Sequence, residues 1–350
     1  MAVKTLFLAT QTQGHGGIPR FNRNLIDAIR QGDNDLTILG LNDKTTSEVS
    51  GYSRNKLRYV AGMLLKVLFN KYDVLLIGHI NLISLSLVRI LRPKMKVVMI
   101  MHGVEVWDHN PKVPKWVSRI DDFWAVSNYT KNRFAELYQL PVESITRIWN
   151  TLPKDWDLPT EEPSYKPYFL SVTRLDKNEG YKGVDKTLAA VAQLSDMLAQ
   201  KGFKYKLLVS GNDVDRHKEM VEEFGIGHLV KFEQQISDEE LKNLYRDCSF
   251  FVLPSTGEGF GIVFLESMMY KKATIGCFDC GTEDVIDHEK TGFLIEQNTA
   301  IIAEKIAYLI DNPDANKAMG EQGFEKLKNE YVFSTFKEKI NLLLRQVCVA

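Results

Sequence analysis

The amino-acid sequence predicts an α/β protein built from two doubly wound domains. The chain has 350 residues, which is more than one hydrophobic core usually serves. Short apolar runs alternate with longer amphipathic stretches, as repeated β-α units and a parallel sheet require. Residues 151–167 interrupt this alternation with four prolines and no apolar periodicity, which is typical of a linker.

The first domain is predicted over residues 1–160. Its strands should be near-continuous Val, Ile and Leu runs, because a parallel sheet is covered on both faces. The predicted strands are 5–9, 36–39, 74–77, 97–101 and 122–126. The predicted helices between them are 18–30, 55–69, 82–91, 113–119 and 128–137.

The second domain is predicted over residues 161–332, where the alternation restarts. Its predicted strands are 168–173, 205–210, 230–232, 250–253, 274–276 and 293–295. Its predicted helices are 183–200, 215–224, 238–247, 261–270, 300–311 and 314–328. Residues 333–347 read as one more amphipathic helix. Two such domains in tandem would face a central cleft at the carboxyl ends of their strands, where these folds bind ligands.

The net charge of −1 is unevenly spread along the chain. Residues 1–160 carry 21 basic and 14 acidic side chains, a net +7, which leaves −8 for the remainder. A basic first half favours an anionic partner, either an acidic lipid surface or a phosphorylated substrate, with chance scatter as the alternative. The basic residues are not interleaved with aromatics in a recognisable module, so we expect no nucleic-acid partner.

Cysteine usage and hydropathy predict a cytoplasmic protein. Four cysteines are too few for a disulfide scaffold. Cys277 and Cys280 have CxxC spacing, but no second ligand pair for zinc exists, so buried or loop thiols are the favoured interpretation. The longest apolar stretch, residues 74–88, is interrupted by His79 and Asn81. It falls short of the roughly 20 residues that a membrane span needs. No signal peptide is expected.

The first motif is GHGGIPR at residues 14–20, directly after the first predicted strand. Gly16 and Gly17 would let backbone amides approach an anion at a helix N-terminus. Arg20 would add a fixed positive charge there. The pattern lacks the third glycine of the dinucleotide fingerprint, which disfavours an NAD-type oxidoreductase. A turn that simply needs glycine is the alternative.

The second motif is His102, at the end of the strand 97–101. A histidine at a strand's carboxyl end projects into the ligand crevice of a doubly wound sheet. It would bond a sugar hydroxyl or stabilise positive charge at a reacting carbon. A histidine with a purely structural hydrogen bond is the alternative.

The third motif pairs Arg174, at the end of the second domain's first strand, with Lys182, at the start of the next helix. Two cations at these positions would straddle a pyrophosphate. Solvated surface charges are the alternative.

The fourth and most specific motif is EGFGIVFLE at residues 258–266. Glu258 lies in a glycine-rich loop and Glu266 on the following, mostly apolar helix. Carboxylates accept paired hydrogen bonds from vicinal hydroxyls, so each suits a sugar or a ribose. Gly259 and Gly261 leave backbone N–H groups free to face phosphate oxygens. A structural role would still require Glu266 to be paired.

These motifs, in this order, resemble the retaining, nucleotide-sugar-dependent glycosyltransferases of family 4, the glycogen-synthase-like group 1 enzymes. The resemblance runs from about residue 9 to residue 292 and is strongest at 258–266, at 280–286 (CGTEDVI) and at 291–295 (TGFLI). It implies the GT-B fold of two Rossmann-like domains, with the acceptor bound by 1–160 and the nucleotide sugar by 161–332. It also implies that the helix of residues 333–350 crosses back onto the first domain.

The resemblance implies a role for each matching residue. His102 would contact the transferred sugar, Arg174 and Lys182 would stabilise the departing diphosphate, and Glu258 would bind sugar hydroxyls. Arg20 is expected on the acceptor side. Other residues are expected to bind the diphosphate, the base or the ribose of the donor. These residues are Gly16, Gly17, Gly211, Ile236, Gly259, Phe260, Gly261 and Glu266.

No metal or other cofactor is expected, since Asp33–Asp35 and Asp213–Asp215 lie in poor contexts for a metal-binding Asp-x-Asp motif. Leaving-group charge would then be stabilised by Arg174, Lys182 and helix dipoles. With no obvious enzyme nucleophile, the acceptor hydroxyl would attack from the front face, with the departing phosphate as its base.

The expected reaction moves a mannose- or glucose-type hexose from GDP-mannose, UDP-glucose or a similar donor to a glycan or lipid-linked acceptor. A sugar-nucleotide epimerase, a phosphorylase, and a catalytically silent nucleotide-sugar-binding module remain alternatives. Residues Arg54–Lys71 resemble a basic amphipathic helix, which would place the protein on the inner face of an anionic membrane. A core helix is the alternative for that segment.

Overall fold

The computed structural model describes residues 2–14, 16–111, 113–156, 158–159 and 162–349. The chain divides into two compact units. The first unit comprises Met1–Trp156 and Tyr331–Ala350, and the second comprises Asp157–Glu330. In the part of the chain that the structure describes, no helix is long and apolar enough to cross a membrane.

The first unit is built on a sheet in which every strand pairing is parallel, in the order β3-β2-β1-β4-β5-β6-β7. The strands are β1 (Lys4–Ala9), β2 (Asp35–Gly40), β3 (Ser50–Gly51), β4 (Val74–Ile77), β5 (Lys96–Met101), β6 (Asp122–Ala125) and β7 (Ile145–Arg147). β1, β4 and β5 are almost entirely buried, because helices cover both faces of a parallel sheet. The strand order reverses between β1 and β4.

The helices of the first unit follow the predicted alternation. They are α1 (Gly17–Arg30), α2 (Lys56–Phe69), α3 (Pro114–Val117) and α4 (Asn128–Tyr138). The predicted helix over 82–91 is present and begins two residues earlier, as the 3₁₀ helix Ile80–Leu91. The His79 ring nitrogen accepts a hydrogen bond from the Asn81 amide at 3.1 Å and caps the start of that helix.

The second unit has a sheet of the same kind, ordered β10-β9-β8-β11-β12-β13 with parallel pairings. Its strands are β8 (Tyr168–Arg174), β9 (Lys204–Ser210), β10 (Val230–Glu233), β11 (Phe251–Val252), β12 (Thr274–Cys277) and β13 (Gly292–Ile295). The order reverses between β8 and β11. Phe169, Tyr205 and Phe250 stack in the core of this sheet.

The helices of the second unit are α5 (Val184–Gln193), α6 (Ser195–Lys201), α7 (Val214–Glu223), α8 (Asp238–Asp247), α9 (Ile262–Met269), α10 (Thr299–Asp311) and α11 (Pro313–Glu330). The prediction of one helix over 183–200 was wrong. Leu194, at φ −97° and ψ 9°, separates α5 from α6. Val191 and Leu198, on either side of the break, are both buried in the same core.

The last helix, α12 (Phe333–Val349), belongs to the first unit and packs on α1. The Phe336 ring meets the Phe21 ring edge to face, with centroids 6.0 Å apart. The Asn341 amide donates to the Ala28 carbonyl at 2.8 Å. The prediction of an α/β fold with two Rossmann-like domains and a C-terminal helix on the first is confirmed.

Candidate functional site

The strongest candidate site lies in the second unit, where the strand order reverses between β8 and β11. The loops that leave these two strands diverge, and open α/β sheets bind ligands in the crevice thus formed. Arg174 ends β8, and Lys182 follows in the same connection. The segment from Glu258 to Gly261 belongs to the connection from β11 to α9. The topology therefore brings together the third and fourth sequence motifs.

The side chain of Gln297 holds these two loops against each other. Its amide nitrogen donates to the carbonyls of Tyr181, at 2.8 Å, and Pro254, at 2.7 Å. The Thr256 amide adds a bond to the same Tyr181 carbonyl at 3.0 Å. Sequence reasoning missed Gln297, because it acts from a third loop that is distant in sequence.

Several glycines let the loops approach this closely. Gly183 has a φ of 69°, and a Cβ there would lie 2.4 Å from the Pro254 carbonyl oxygen. A Cβ at Gly281 would lie 2.0 Å from the Gly259 carbonyl oxygen. The Gly281 amide donates to the Glu258 carbonyl at 2.7 Å. The backbone around Glu258 is thus determined by contacts that only glycine permits.

Lys182 and Glu258 form an ion pair across the crevice, with Nζ and Oε1 2.6 Å apart. Their side chains are only 15% and 14% exposed. The Coulomb attraction within a pair that is this sheltered from water is stronger than within a pair on the surface. A cation and a carboxylate are thereby held side by side, where each could exchange its partner for a ligand phosphate or hydroxyl.

Arg174 is held by two acids of its own loop. Its guanidinium forms paired hydrogen bonds with the Glu179 carboxylate and lies 3.1 Å from an Asp176 oxygen. Burial alone would raise the pKa of Glu179, but the bonds from Arg174 and Tyr181 hold it below its usual value. Sequence reasoning missed Glu179, although an acid five residues from a functional arginine is a usable signal.

Glu266 lies inside α9 and is almost completely buried. The Tyr245 hydroxyl of α8 donates to its Oε2 at 2.7 Å. The prediction that this carboxylate needs a partner on an apolar helix is confirmed by this contact. Phe260, in the preceding loop, is also buried.

Gly211 and Ile236 lie at the carboxyl ends of neighbouring strands in the same sheet. Gly211 follows β9 with a φ of 107°, and a Cβ there would lie 2.1 Å from the Leu175 carbonyl oxygen. Ile236 is partly exposed between β10 and α8. Both residues therefore lie at the carboxyl ends of the strands, as Arg174 does.

The first unit has its own reversal point, between β1 and β4. The loop after β1 is held by Asp43, whose buried carboxylate accepts hydrogen bonds from the Thr12 amide and hydroxyl, both at 2.8 Å, and from the Gln13 amide at 3.1 Å. Sequence reasoning missed Asp43. It lies about thirty residues along the chain from its partners, beyond the next strand.

Gly16 and Gly17 lie where this loop enters α1. Gly16 precedes the helix with a φ of 119°. Among the described residues, a Cβ at Gly17 would have no neighbour within 4 Å. Both glycines are exposed residues, and they lie at the N-terminus of a helix, where backbone amides favour an anion. His15, within the same motif, lies outside the described residues.

His102 follows β5 in the first unit. Its Nε2 lies 2.9 Å from the Gly78 carbonyl oxygen, and its backbone amide donates to Glu105 at 2.6 Å. Burial lowers the pKa of the ring, against the attraction of Glu105. A carbonyl only accepts, so the neutral ring carries its proton on Nε2, and Nδ1 is left as an acceptor.

Arg20 projects from the first turn of α1, and its guanidinium carbon lies 5.7 Å from the centre of the Trp156 ring. This cation–π contact involves a tryptophan that sequence reasoning did not select. Arg20 is thus oriented by an aromatic ring at the end of the first unit's main segment.

Cys277 and Cys280 are buried free thiols. Burial raises the pKa of Cys277 to about 12, so its thiol stays protonated at neutral pH. Across the residues that the structure describes, no group of three or more His, Cys, Asp or Glu side chains could hold a metal ion.

Comparison with known proteins adds to this picture. Residues 154–326 match the family model described as glycosyl transferases group 1. The human alpha-1,3/1,6-mannosyltransferase ALG2 is 28% identical over 212 residues, which cover 57% of this chain and 50% of ALG2. A GDP-mannose-dependent alpha-(1-6)-phosphatidylinositol monomannoside mannosyltransferase of Mycobacterium tuberculosis is 24% identical over 277 residues, with coverages of 71% and 69%.

The chain spans about half the length of the first curated relatives it matches. Among solved structures, Anabaena Alr3699/HepE in complex with UDP and glucose superposes with a TM-score of 0.80 at 16% identity. The alignment covers 98% of this chain and 100% of that one. At this identity the likeness shows the fold, which is GT-B.

Proposed function

Because residues 154–326 match the family model of the group 1 glycosyltransferases, we propose that the chain is a retaining hexosyltransferase. It moves a mannose- or glucose-type sugar from a GDP- or UDP-sugar to a glycan or lipid-linked acceptor. The observation that carries the proposal is the sheltered Lys182–Glu258 pair at the reversal point of the second sheet. Relatives named as mannosyltransferases, one of them GDP-mannose-dependent, favour mannose.

The second unit would bind the donor. Glu258 would accept hydrogen bonds from hydroxyls of the transferred sugar, and Glu266 from the ribose. The amides of Gly259, Phe260 and Gly261 would face the phosphates at the start of α9. The base would lie near Gly211 and Ile236, at the ends of β9 and β10.

Arg174 and Lys182 would stabilise the diphosphate as it departs, and we propose that no metal is required. Cations that are already oriented stabilise developing charge without reorganisation. Glu179 and Asp176 orient Arg174, and Glu258 orients Lys182. The bond from the anomeric carbon to the phosphate oxygen breaks as the acceptor oxygen attacks on the same face. The acceptor proton passes to the departing phosphate.

In the first unit, Gly16 and Gly17 would offer backbone amides to the diphosphate. His102 would accept a hydrogen bond from a sugar hydroxyl through Nδ1. Arg20, oriented by Trp156, would bind the acceptor. We propose a cytoplasmic reaction, which for a lipid-linked acceptor takes place at the inner face of the membrane.

The test is a thermal-shift and product panel with UDP-, GDP- and ADP-sugars in the presence of EDTA. One nucleotide family should raise the melting temperature. Glu266→Gln should abolish that rise, whereas Tyr245→Phe, which removes only the neighbouring hydroxyl, should retain it. The anomeric configuration of the product, read by NMR, should match that of the donor.

Three outcomes would contradict the proposal. An epimerised sugar nucleotide would identify an epimerase, and consumption of inorganic phosphate would identify a phosphorylase. A thermal shift without turnover on any glycan or lipid acceptor would identify a catalytically silent nucleotide-sugar-binding module.

A further inference from the structure

Two neighbouring elements of the first unit expose an unusual number of large apolar side chains. On α2, Leu57 is 84% exposed and Phe69 is 81% exposed. On the 3₁₀ helix Ile80–Leu91, Ile90 is 61% exposed. The other exposed members of this set are Leu64, Leu65, Leu68, Leu87 and Leu91. Such a concentration goes beyond the single exposed apolar residues that are normal on a monomer.

The exposed side chains of α2 do not belong to the stripe that packs on the sheet. The buried residues of the helix are Tyr59, Met63 and Val67, spaced four apart on one face. Leu57, Leu64 and Leu68 follow the same helical spacing on another face, and that face is exposed. α2 therefore carries a second apolar stripe that the core of the first unit does not use.

The two elements join into one surface. The Arg92 guanidinium, directly after the 3₁₀ helix, donates to the carbonyls of Val67, at 3.1 Å, and Leu68, at 2.8 Å. These bonds satisfy carbonyls at the last turn of α2. The end of α2 is thereby tied to the segment that exposes Leu87, Ile90 and Leu91.

The charged side chains of these two segments all have one sign. Residues 54–71 contain five basic and no acidic residues. Residues 80–96 also lack acids and contain Arg89, Arg92, Lys94 and Lys96. Arg89 is paired with Asp121 at 2.9 Å, whereas Arg58, Lys71 and Lys94 are exposed. Basic side chains that flank apolar ones match anionic headgroups above an acyl layer.

We infer that α2 and the 3₁₀ helix Ile80–Leu91 form a single surface, the bilayer surface, which lies on an anionic lipid bilayer. The leucines and phenylalanine would enter the boundary between headgroups and acyl chains, and the basic side chains would contact phosphates. A second copy of the chain is a poorer occupant. In a twofold dimer the same patch meets itself, so its positive charges would face one another.

The test measures binding of the full chain to vesicles of phosphatidylcholine with and without phosphatidylglycerol, by flotation. The unmodified chain should bind the anionic vesicles preferentially. The apolar variant Leu57→Ser/Leu65→Ser/Phe69→Ser should weaken binding at least about tenfold, because three buried apolar side chains are lost. The variant Ile90→Ser/Leu91→Ser should also weaken it, which tests the second element independently.

The charge variant Lys56→Gln/Arg58→Gln should weaken binding to anionic vesicles by about fivefold per charge. It should leave binding to neutral vesicles unchanged. Leu342→Ser is the matched control, because Leu342 is a 48% exposed leucine on α12 of the same unit. It should bind like the unmodified chain.

Two results would overturn the inference. One is equal vesicle binding by the apolar variants and Leu342→Ser. The other is an unmodified chain that ignores anionic vesicles but forms a dimer that the apolar variants abolish, as measured by light scattering. All variants should keep the nucleotide-sugar thermal shift, so failure of this inference is distinct from failure of the proposed donor site.

Discussion

The two sheets of the molecule have the same strand order around their reversal points, yet the two crevices carry different chemistry. In the second unit the crevice holds the sheltered ion pair Lys182–Glu258. It also holds Arg174, which forms an ion pair with Glu179. In the first unit the loop after β1 is held by the buried Asp43, which bonds to neutral amides and a hydroxyl. In the same unit, burial lowers the pKa of the His102 ring.

The common topology therefore supplies the place for a site, and the side chains supply its chemistry. A parallel sheet whose order reverses opens a crevice in either unit. In the second unit the crevice carries Lys182 and Arg174, the oriented cations proposed to stabilise a departing diphosphate. In the first unit, Gly16, Gly17 and the neutral imidazole of His102 suit hydrogen bonding, and the cation Arg20 is proposed for the acceptor rather than for the leaving group.

The largest expected effect comes from Lys182→Met. It should lower kcat/KM by about 10²- to 10³-fold, because a fixed cation for the leaving group is lost. Lys186→Met, on the exposed side of α5, is the control and should retain activity. Steady-state kinetics with the donor found by thermal shift would measure both.

A double-mutant cycle with Glu258→Gln sharpens this result. The two changes should be less than additive, since each leaves the other residue of a sheltered pair without its partner. Equal losses of kcat/KM in Lys182→Met and Lys186→Met would contradict a special role for the crevice of the second unit.

The next effect concerns the loop of the first unit. Asp43→Asn should cost about 2–3 kcal/mol in the local opening free energy, because asparagine keeps one acceptor oxygen and its amide nitrogen cannot accept the bonds that the carboxylate oxygen it replaces accepts from Thr12 or Gln13. Hydrogen exchange at the amides of Thr12 and Gln13 should speed up accordingly. Asp33→Asn, at an exposed site, should change that exchange little. Unchanged exchange in Asp43→Asn would show that the glycines alone determine this loop.

The smallest effect concerns the protonation of a buried lysine in the second unit. Lys272 is fully buried, and burial lowers its pKa to about 8, against the attraction of neighbouring groups such as Asp247. Between that value and its ordinary 10.5, the unfolded chain keeps a proton that the folded chain has lost. Stability from this group therefore rises with pH.

Relative to Lys272→Met, the free energy of unfolding should increase by about 2 kcal/mol from neutral pH to about pH 10. Chemical denaturation at a series of pH values would measure it. Parallel pH profiles for the two proteins would contradict this account and leave Lys272 charged throughout.

Much of the fold was predictable because hydrophobic periodicity is local. The alternation of strands and helices was predicted in both units, and so was the pairing requirement of Glu266. The helix break at Leu194 was not, because both halves keep the same helical pattern. The roles assigned to His102, Arg174, Lys182 and Glu258 stay predictions.

The missed residues share one property. Asp43, Gln297 and Trp156 act on partners that lie in a different loop or element. Their contacts depend on how loops converge at the end of a sheet, which no local pattern encodes. Glu179 is the exception, since it lies five residues from Arg174 and bonds to it directly.

The class of fold and the position of the glycine-rich and charged motifs at strand ends follow from local sequence, because apolar periodicity and glycine's backbone freedom act over a few residues. Long-range packing determines which cation pairs with which acid, and which of the two apolar stripes of α2 is buried. Both helical stripes have the same period. Packing against the sheet uses one stripe, and the other is left for a partner outside the fold.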